Sequence, residues 1–260
     1  MKWLSSCAVA AALLVPLGSA QAGVLGKYRI RAGAGVQAVP SFPGADNLDV
    51  SVWPKVSVAR DDHPFGFGTP DDSLGISLFS SDGFSAGPVA RLRSSRDEED
   101  VGAPVGDVRR AIELGGFVQQ YVGDSFRLRA ELRKGVRGHH GLVGSASADY
   151  VIRDGDKYLF SIGPRVRYGD ADFTRTYFGV SDAAAAVSPL QAYRPGGGIN
   201  SVGLTSTFNY ALGGRWGVFG YAEYSRLVGD ARHSPIVTEL GSPNQFSAGA
   251  GISYTFDFTL

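Results

Sequence analysis

From about residue 27 onward, apolar and polar side chains alternate with a period of two. In Phe126-Arg-Leu-Arg-Ala-Glu-Leu-Arg133, Phe126, Leu128, Ala130 and Leu132 share one face, and Arg127, Arg129, Glu131 and Arg133 share the other. Tyr158–Tyr168 and Ser201–Leu212 repeat the pattern. Phe246–Phe258 carries it furthest, with seven apolar positions against Ser247, Gly249, Gly251, Ser253, Thr255 and Asp257. A period of two marks half-buried strands. These segments run to 10–12 residues, longer than the ~5–6 of soluble strands and close to the ~9–11 of a tilted membrane strand. Trp216, Tyr158, Tyr168, Tyr210, Tyr224 and Phe258 sit at the ends of apolar faces, as interfacial girdles do. Short turns at Ser81–Gly83, Val122–Ser125, Arg153–Asp156 and Gly213–Arg215 alternate with longer connections near 94–107, 137–141, 169–198 and 229–244. Asp-Gly and Gly-Gly suit tight hairpins because primed turns need positive φ. The fold class that follows is all-β, a transmembrane antiparallel up-and-down β-barrel.

Eleven strands are clear, near 27–39, 49–60, 73–80, 84–93, 109–122, 126–136, 142–152, 158–168, 199–211, 216–227 and 245–258. Single-chain bacterial barrels have even strand numbers. The short, glycine-interrupted His63–Gly68 is the place for a twelfth, giving about 12 strands, with 10 as the alternative if the early segments merge. Asp182-Ala-Ala-Ala-Ala-Val187, inside the 169–198 connection, predicts a short helix. The sequence leaves open whether that connection enters the lumen or covers its end.

The N-terminus sets the compartment. Met1-Lys2, the apolar Trp3–Leu17 and the small residues up to Ala22 form a secretory signal peptide, cleaved after Ala22. Residues 1–22 are then the leader and 23–260 the barrel. Cys7 leaves with the leader, so the exported chain carries no disulfide. With 25 basic and 25 acidic residues the formal net charge is zero, which removes the electrostatic case for nucleic-acid binding. Glycine, 36 of 260 residues, is too abundant for a helical bundle.

Candidate chemistry is sparse. His139 and His140 are adjacent and read as a solvated loop rather than metal ligands. His233-Ser234 could mimic a hydrolase pair, but Pro235 follows and no orienting acid is evident. Arg96-Asp-Glu-Glu-Asp100 reads as a solvated charged loop. Gly115-Gly116 and Gly196–Gly198 lack the Lys-Ser/Thr of a phosphate loop. The inward charges are more informative. Glu113, Arg127, Arg129, Glu131, Arg133, Asp149, Arg165, Arg167 and Glu223 are candidates to line the lumen. Either they brace the barrel as ion pairs or they line a narrow channel with an anionic preference.

Several stretches carry a family resemblance. They include Thr176-Tyr-Phe-Gly-Val180, Leu227-Val-Gly-Asp230, Ser234-Pro-Ile-Val237, and Gly241-Ser-Pro-Asn-Gln-Phe246 leading into Gly249–Phe256. Upstream, Pro43-Gly-Ala-Asp46, Gly87-Pro88, Arg96–Asp100 and Glu113-Leu-Gly-Gly116 follow in the same order. Together they resemble the MipA/OmpV family of Gram-negative outer-membrane proteins. The resemblance implies a barrel in the outer membrane, in contact with its lipid, with no catalytic residues, cofactor or metal. It also implies a scaffold for peptidoglycan-remodelling enzymes, with a lytic transglycosylase and a penicillin-binding synthase as partners. A porin-like channel for small polar solutes, or a surface adhesin, is the alternative. One departure is visible. The chain ends on Leu260, where such barrels often end on an aromatic, and Phe258 is the nearest.

Overall fold

A computed structural model describes residues 13–14 and 26–259. The leader expected over residues 1–22 falls outside the described residues except for Leu13–Leu14, and Leu260 also falls outside them. The long strands are β1 (Lys27–Pro40), β2 (Leu48–Arg60), β5 (Phe84–Arg93), β6 (Ala111–Val122), β7 (Phe126–Arg137), β8 (Leu142–Asp154), β9 (Tyr158–Gly169), β10 (Gly198–Gly213), β11 (Trp216–Leu227) and β12 (Asn244–Thr259). Two short strands, β3 (Leu74–Gly75) and β4 (Phe79–Ser81), precede β5. All twelve belong to one curled sheet, whose thirteenth strand is Leu13–Leu14.

Neighbours from β5 to β12 pair in sequence order, and β12 then pairs antiparallel with β1 and β1 with β2. This up-and-down wrap is what brings the first and last long strands together. Along the long strands the odd-numbered positions point inward, except at the start of β10, where a register shift turns Asn200 inward and Ile199 outward. Their even-numbered neighbours, such as Val50, Val52, Leu128, Leu132, Ile162, Val202 and Ile252, are exposed on the outer face. The outer face is therefore the lipid face. Tyr158 and Tyr168 lie at the two ends of β9. Ten residues at ~3.3 Å each span about 33 Å, or roughly 23 Å of depth at a 45° tilt, close to the ~25 Å apolar band of such barrels. Trp216 stacks on Tyr254 at one rim (5.0 Å) and Tyr224 on Phe246 at the other (4.9 Å).

His63–Gly68, expected as the twelfth strand, is not a strand. The count of twelve holds because 74–81 is split into β3 and β4. Between them the pairing continues through Ile76 N–H to the Pro88 carbonyl (3.2 Å) and Leu78 N–H to the Ala86 carbonyl (3.0 Å). This close approach depends on Gly87, where a Cβ would lie 1.8 Å from the Ile76 oxygen. Residues 61–73 leave the wall after β2 and rise through the interior to rejoin it at β3. The sheet edges β2 and β3 are thus unpaired with each other. Leu13–Leu14 lies at that seam, parallel to Val56–Ser57.

The long connections form a packed cap at the end opposite the short turns. It holds α1 (Glu98–Val101), α2 (Ala171–Phe178), α3 (Asp182–Ala186), α4 (Gly229–His233) and α5 (Pro235–Leu240). The helix expected over 182–187 is α3, capped by the Ser181 hydroxyl, which accepts from Ala184 N–H. Phe42, Ala45, Val101, Val180, Leu190 and Ile236 form one apolar cluster. Phe173, Tyr177, Phe178, Leu227 and Val237 form a second against the strand ends. The 169–198 connection therefore covers the barrel end. The segment that fills the lumen is 61–73 instead.

Asp170 fastens this cap to the wall. Its carboxylate accepts from Phe173 N–H (2.9 Å) at the start of α2 and from Leu142 N–H (2.7 Å) at the start of β8. Burial alone would raise its pKa, but these two donors and the Lys134 charge outweigh that and hold it below the usual carboxylate range. Its stabilising contribution is therefore present above the unfolded value of ~3.9 and is lost as pH falls through the folded value. In Asp170→Ala, amide protection at Leu142 and Phe173 should fall about fivefold at pH 7, matching a cap worth ~1 kcal/mol. The acid-dependent part of the wild-type protection should vanish with it. Hydrogen exchange checks both.

Candidate functional site: a filled lumen

The nine inward charges expected to line the lumen converge on the side of the barrel formed by β5–β11. Arg127 is fully buried, with Nη1 donating to Asp72 Oδ2 (2.7 Å) and Nη2 2.8 Å from Asp149 Oδ2. Arg165 bridges Asp149 (2.7 Å) and Asp71 (2.7 Å). Glu113 accepts from Arg133 Nε (2.9 Å) and Arg93 Nε (2.8 Å). Arg129 and Arg133 share Glu131. Arg167 pairs with Glu223 at 2.7 Å. Adjacent strands hold these partners together, because Arg127 pairs in register with Asp149 and Arg133 with Gly115, two positions from Glu113. At this depth an unpaired charge is expensive.

The wall brings an excess of cations to this network. Among the nine are five arginines and four carboxylates, and Arg91 and Arg93 add to the positive side. Residues 61–73 supply what is missing. Asp71 and Asp72 take arginines from β7 and β9. Ser73 donates to Glu131 through its N–H (3.1 Å) and its hydroxyl (2.6 Å). Arg91 donates to the Asp71 carbonyl (2.6 Å). Lower down, Phe67 lies under the Arg127 guanidinium (4.5 Å) and Phe65 under Arg31 (4.1 Å), both within cation–π range. Asp156 accepts from Phe65 N–H (2.9 Å), and Arg153 donates to the Phe65 carbonyl (3.0 Å). This is the physical reason that His63–Gly68 turns inward.

The plug leaves little space. A cavity lined by Asp71, Asp72, Arg129, Glu131, Arg165 and Arg167 measures about 10 Å³, which is at most one water. The other side of the lumen is closed by rings. Trp53 on β2 meets Phe219 (4.9 Å) and Tyr221 (4.8 Å) on β11. Gly249 and Gly251 on β12 make room, since a Cβ there would lie 2.7 Å from Tyr221 and 2.6 Å from Phe219.

Two sequence expectations need correction, and a third residue singled out there finds its role. His139 is not solvated. It is buried, with Nε2 3.1 Å from Glu113 and its ring against Phe173 and Tyr177. Arg96 is also buried, donating to the Tyr177 and Gly106 carbonyls, so only Asp97–Asp100 of that run faces water. Ser234 is a helix cap. Its hydroxyl donates to the Phe178 carbonyl (2.7 Å) and accepts from Ile236 N–H (3.2 Å), while His233 faces solvent. Buried and committed in this way, Ser234 offers no nucleophile. Sequence reading missed Asp71, Asp72 and Ser73. The available signal was a pair of acids after Pro70 in a chain whose wall carries surplus arginine.

This arrangement of barrel, plug and cap can be set beside known proteins. A family model described as MltA-interacting protein MipA matches residues 32–256. The chain belongs to the MipA family. It is 36% identical over 91 residues to outer membrane protein OmpV of Vibrio cholerae serotype O1, covering 35% of this chain and 34% of that protein. Omp26La of Vibrio anguillarum is 35% identical over the same length and shares. The match thus spans about a third of the length of these curated relatives. Among solved structures, an outer-membrane channel from Pseudomonas putida F1 aligns over 91% of this chain and 97% of its own, with 10% identity and a TM-score of 0.42. OprG of Pseudomonas aeruginosa aligns over 89% and 96%, with 12% identity and a TM-score of 0.28. The protein is an outer-membrane β-barrel protein of Gram-negative type.

Arg127 is the natural test of the network. In Arg127→Ala, Asp72 and Asp149 stay buried without their shared cation, a loss of about 3–5 kcal/mol. The urea midpoint of the detergent-folded barrel should drop accordingly. A change within ~0.5 kcal/mol, the scale of an ordinary surface substitution, would mean that the network does not hold the plug.

Proposed function

We propose that this protein works through its surfaces, as an outer-membrane scaffold for peptidoglycan-remodelling enzymes. The observation that carries the reading is the filled lumen. Among the described residues, ion pairs, a chain segment and edge-on rings occupy the interior, which supports a role in interaction over one in solute passage. The family description, which names an interaction with MltA, supports a lytic transglycosylase as one partner. A penicillin-binding synthase is the second, so that cutting and synthesis of murein are held together. The short turns, the start of β1 and the end of β12 lie at one rim, and in outer-membrane barrels the rim of short turns faces the periplasm. That rim is where murein enzymes could be reached.

The full chain, folded in detergent and immobilised, should retain a purified lytic transglycosylase that an unrelated porin does not retain. In planar bilayers it should stay electrically silent. No retention would remove the scaffold reading. Stepwise conductance altered by Arg165→Glu would replace it with the channel.

A further inference from the structure

One part of the lumen departs from the pairing rule that governs the rest. Beside the β8–β9 turn, at the short-turn end, lies a cavity of about 50 Å³ whose wall includes Arg31, Lys55, Phe65, Arg153, Asp156 and Asn209. β1 and β2 pair with Arg31 opposite Ser57 and Gly33 opposite Lys55. Arg31 and Lys55 are therefore diagonal neighbours on the inward face, a spacing of roughly 7–8 Å. Neither has a carboxylate within ion-pair distance among the described residues. The nearest acid, Asp156, is already used. It accepts from Arg29 (2.6 Å) and Phe65 N–H (2.9 Å) and lies 3.7 Å from Arg153. Asp61, 3.7 Å from Arg29, and Asp257, opposite Arg29 across β1 and β12, are both exposed at the rim. The cavity wall thus sets three cations, Arg31, Lys55 and Arg153, against one carboxylate, while the network above matches almost every arginine to a partner.

The two unmatched cations are held rather than loose. The Arg31 guanidinium lies 4.1 Å above the Phe65 ring, which fixes its plane and leaves its N–H edge free. Lys55 Nζ donates to Asn209 Oδ1 (2.7 Å) and sits 5.0 Å from the Phe219 ring, leaving further donors unused. Like charges held side by side at low dielectric repel, and they remain stable when an anion completes them. The cavity has room for a few waters, the size of one small tetrahedral or planar anion. We infer that it is a binding site for an oxyanionic group, a phosphate or a carboxylate, gripped between Arg31 and Lys55. The planar guanidinium fork favours an oxyanion over chloride.

The test uses the full chain folded in a non-ionic detergent, titrated with inorganic phosphate by calorimetry. Saturable binding is expected, with phosphate raising the unfolding temperature more than sodium chloride of equal ionic strength. Arg31→Gln and Lys55→Gln should each weaken binding at least tenfold, and Lys55→Arg should retain it. Arg194→Gln, which breaks an exposed pair with Asp182 in the cap, should not change it. Heat-modifiable migration on gels establishes that each variant is folded. If Arg31→Gln does not fold, the contrast between Lys55→Gln and Lys55→Arg decides alone. The site is overturned if phosphate acts no differently from chloride on the wild type, or if the folded Gln variants bind as the wild type does. Acetate in place of phosphate tells a carboxylate site from a phosphate site. Vesicles containing phosphatidic acid compete with free phosphate only where the group belongs to a lipid. The inference does not depend on a murein partner, and its failure would leave that reading untouched.

Discussion

Charge neutralisation inside a narrow barrel is the constraint on which the rest of this structure depends. Arg127, with no exposed surface, is held between Asp149 of the neighbouring strand and Asp72 of the plug. A strand wall alone cannot satisfy its arginines, because in-register neighbours offer too few carboxylates. The segment after β2 supplies the missing acids by leaving the wall. Its course through the lumen is thus an electrostatic consequence of the residues on β7 and β9. The cost is a seam between β2 and β3, where a regular antiparallel strand would otherwise sit.

The same constraint explains the division of the interior. Where β5–β9 carry charges, the space is filled by ion pairs and by residues 61–73. Where β11 and β12 face β1 and β2, glycines such as Gly249 and Gly251 admit Phe219, Tyr221 and Trp53, and rings fill the space. At the meeting of the two regimes, Arg31 and Lys55 have neither carboxylate nor complete ring cover. A site for a soluble group arises there because neither way of filling the barrel reaches it.

The cap completes the separation of inside from outside. α2 lays Phe173 and Tyr177 over His139, whose ring sits against Glu113. The upper end of the charge network is thereby covered by aromatic side chains. Asp170 and Ser234 then tie α2 and α5 to neighbouring backbone, so the long connections behave as a packed layer. Cap and plug together leave little of the interior open among the described residues.

Much was legible in the sequence because it depends on local spacing. The period of two placed nearly every strand within a residue or two, the odd positions gave the inward face, and aromatic end positions gave the girdles. Asp182–Ala186 showed as a helix because alanine favours one in any context. The nine lumen charges could be named because parity along a strand fixes the side to which each points. Tertiary structure decided what those charges touch. Asp72 lies 55 residues from Arg127 and Asp71 lies 94 from Arg165, and nothing in their own neighbourhood indicates an interior position. His63–Gly68 has enough alternation to resemble a strand, yet cation–π contacts and Asp156 draw it inward. His139 and Arg96 look like surface residues until the cap folds over them. Local pattern determines which way a side chain faces. Whether that side is lumen, cap or water, and which distant charge completes it, is set only when the barrel closes around its own chain.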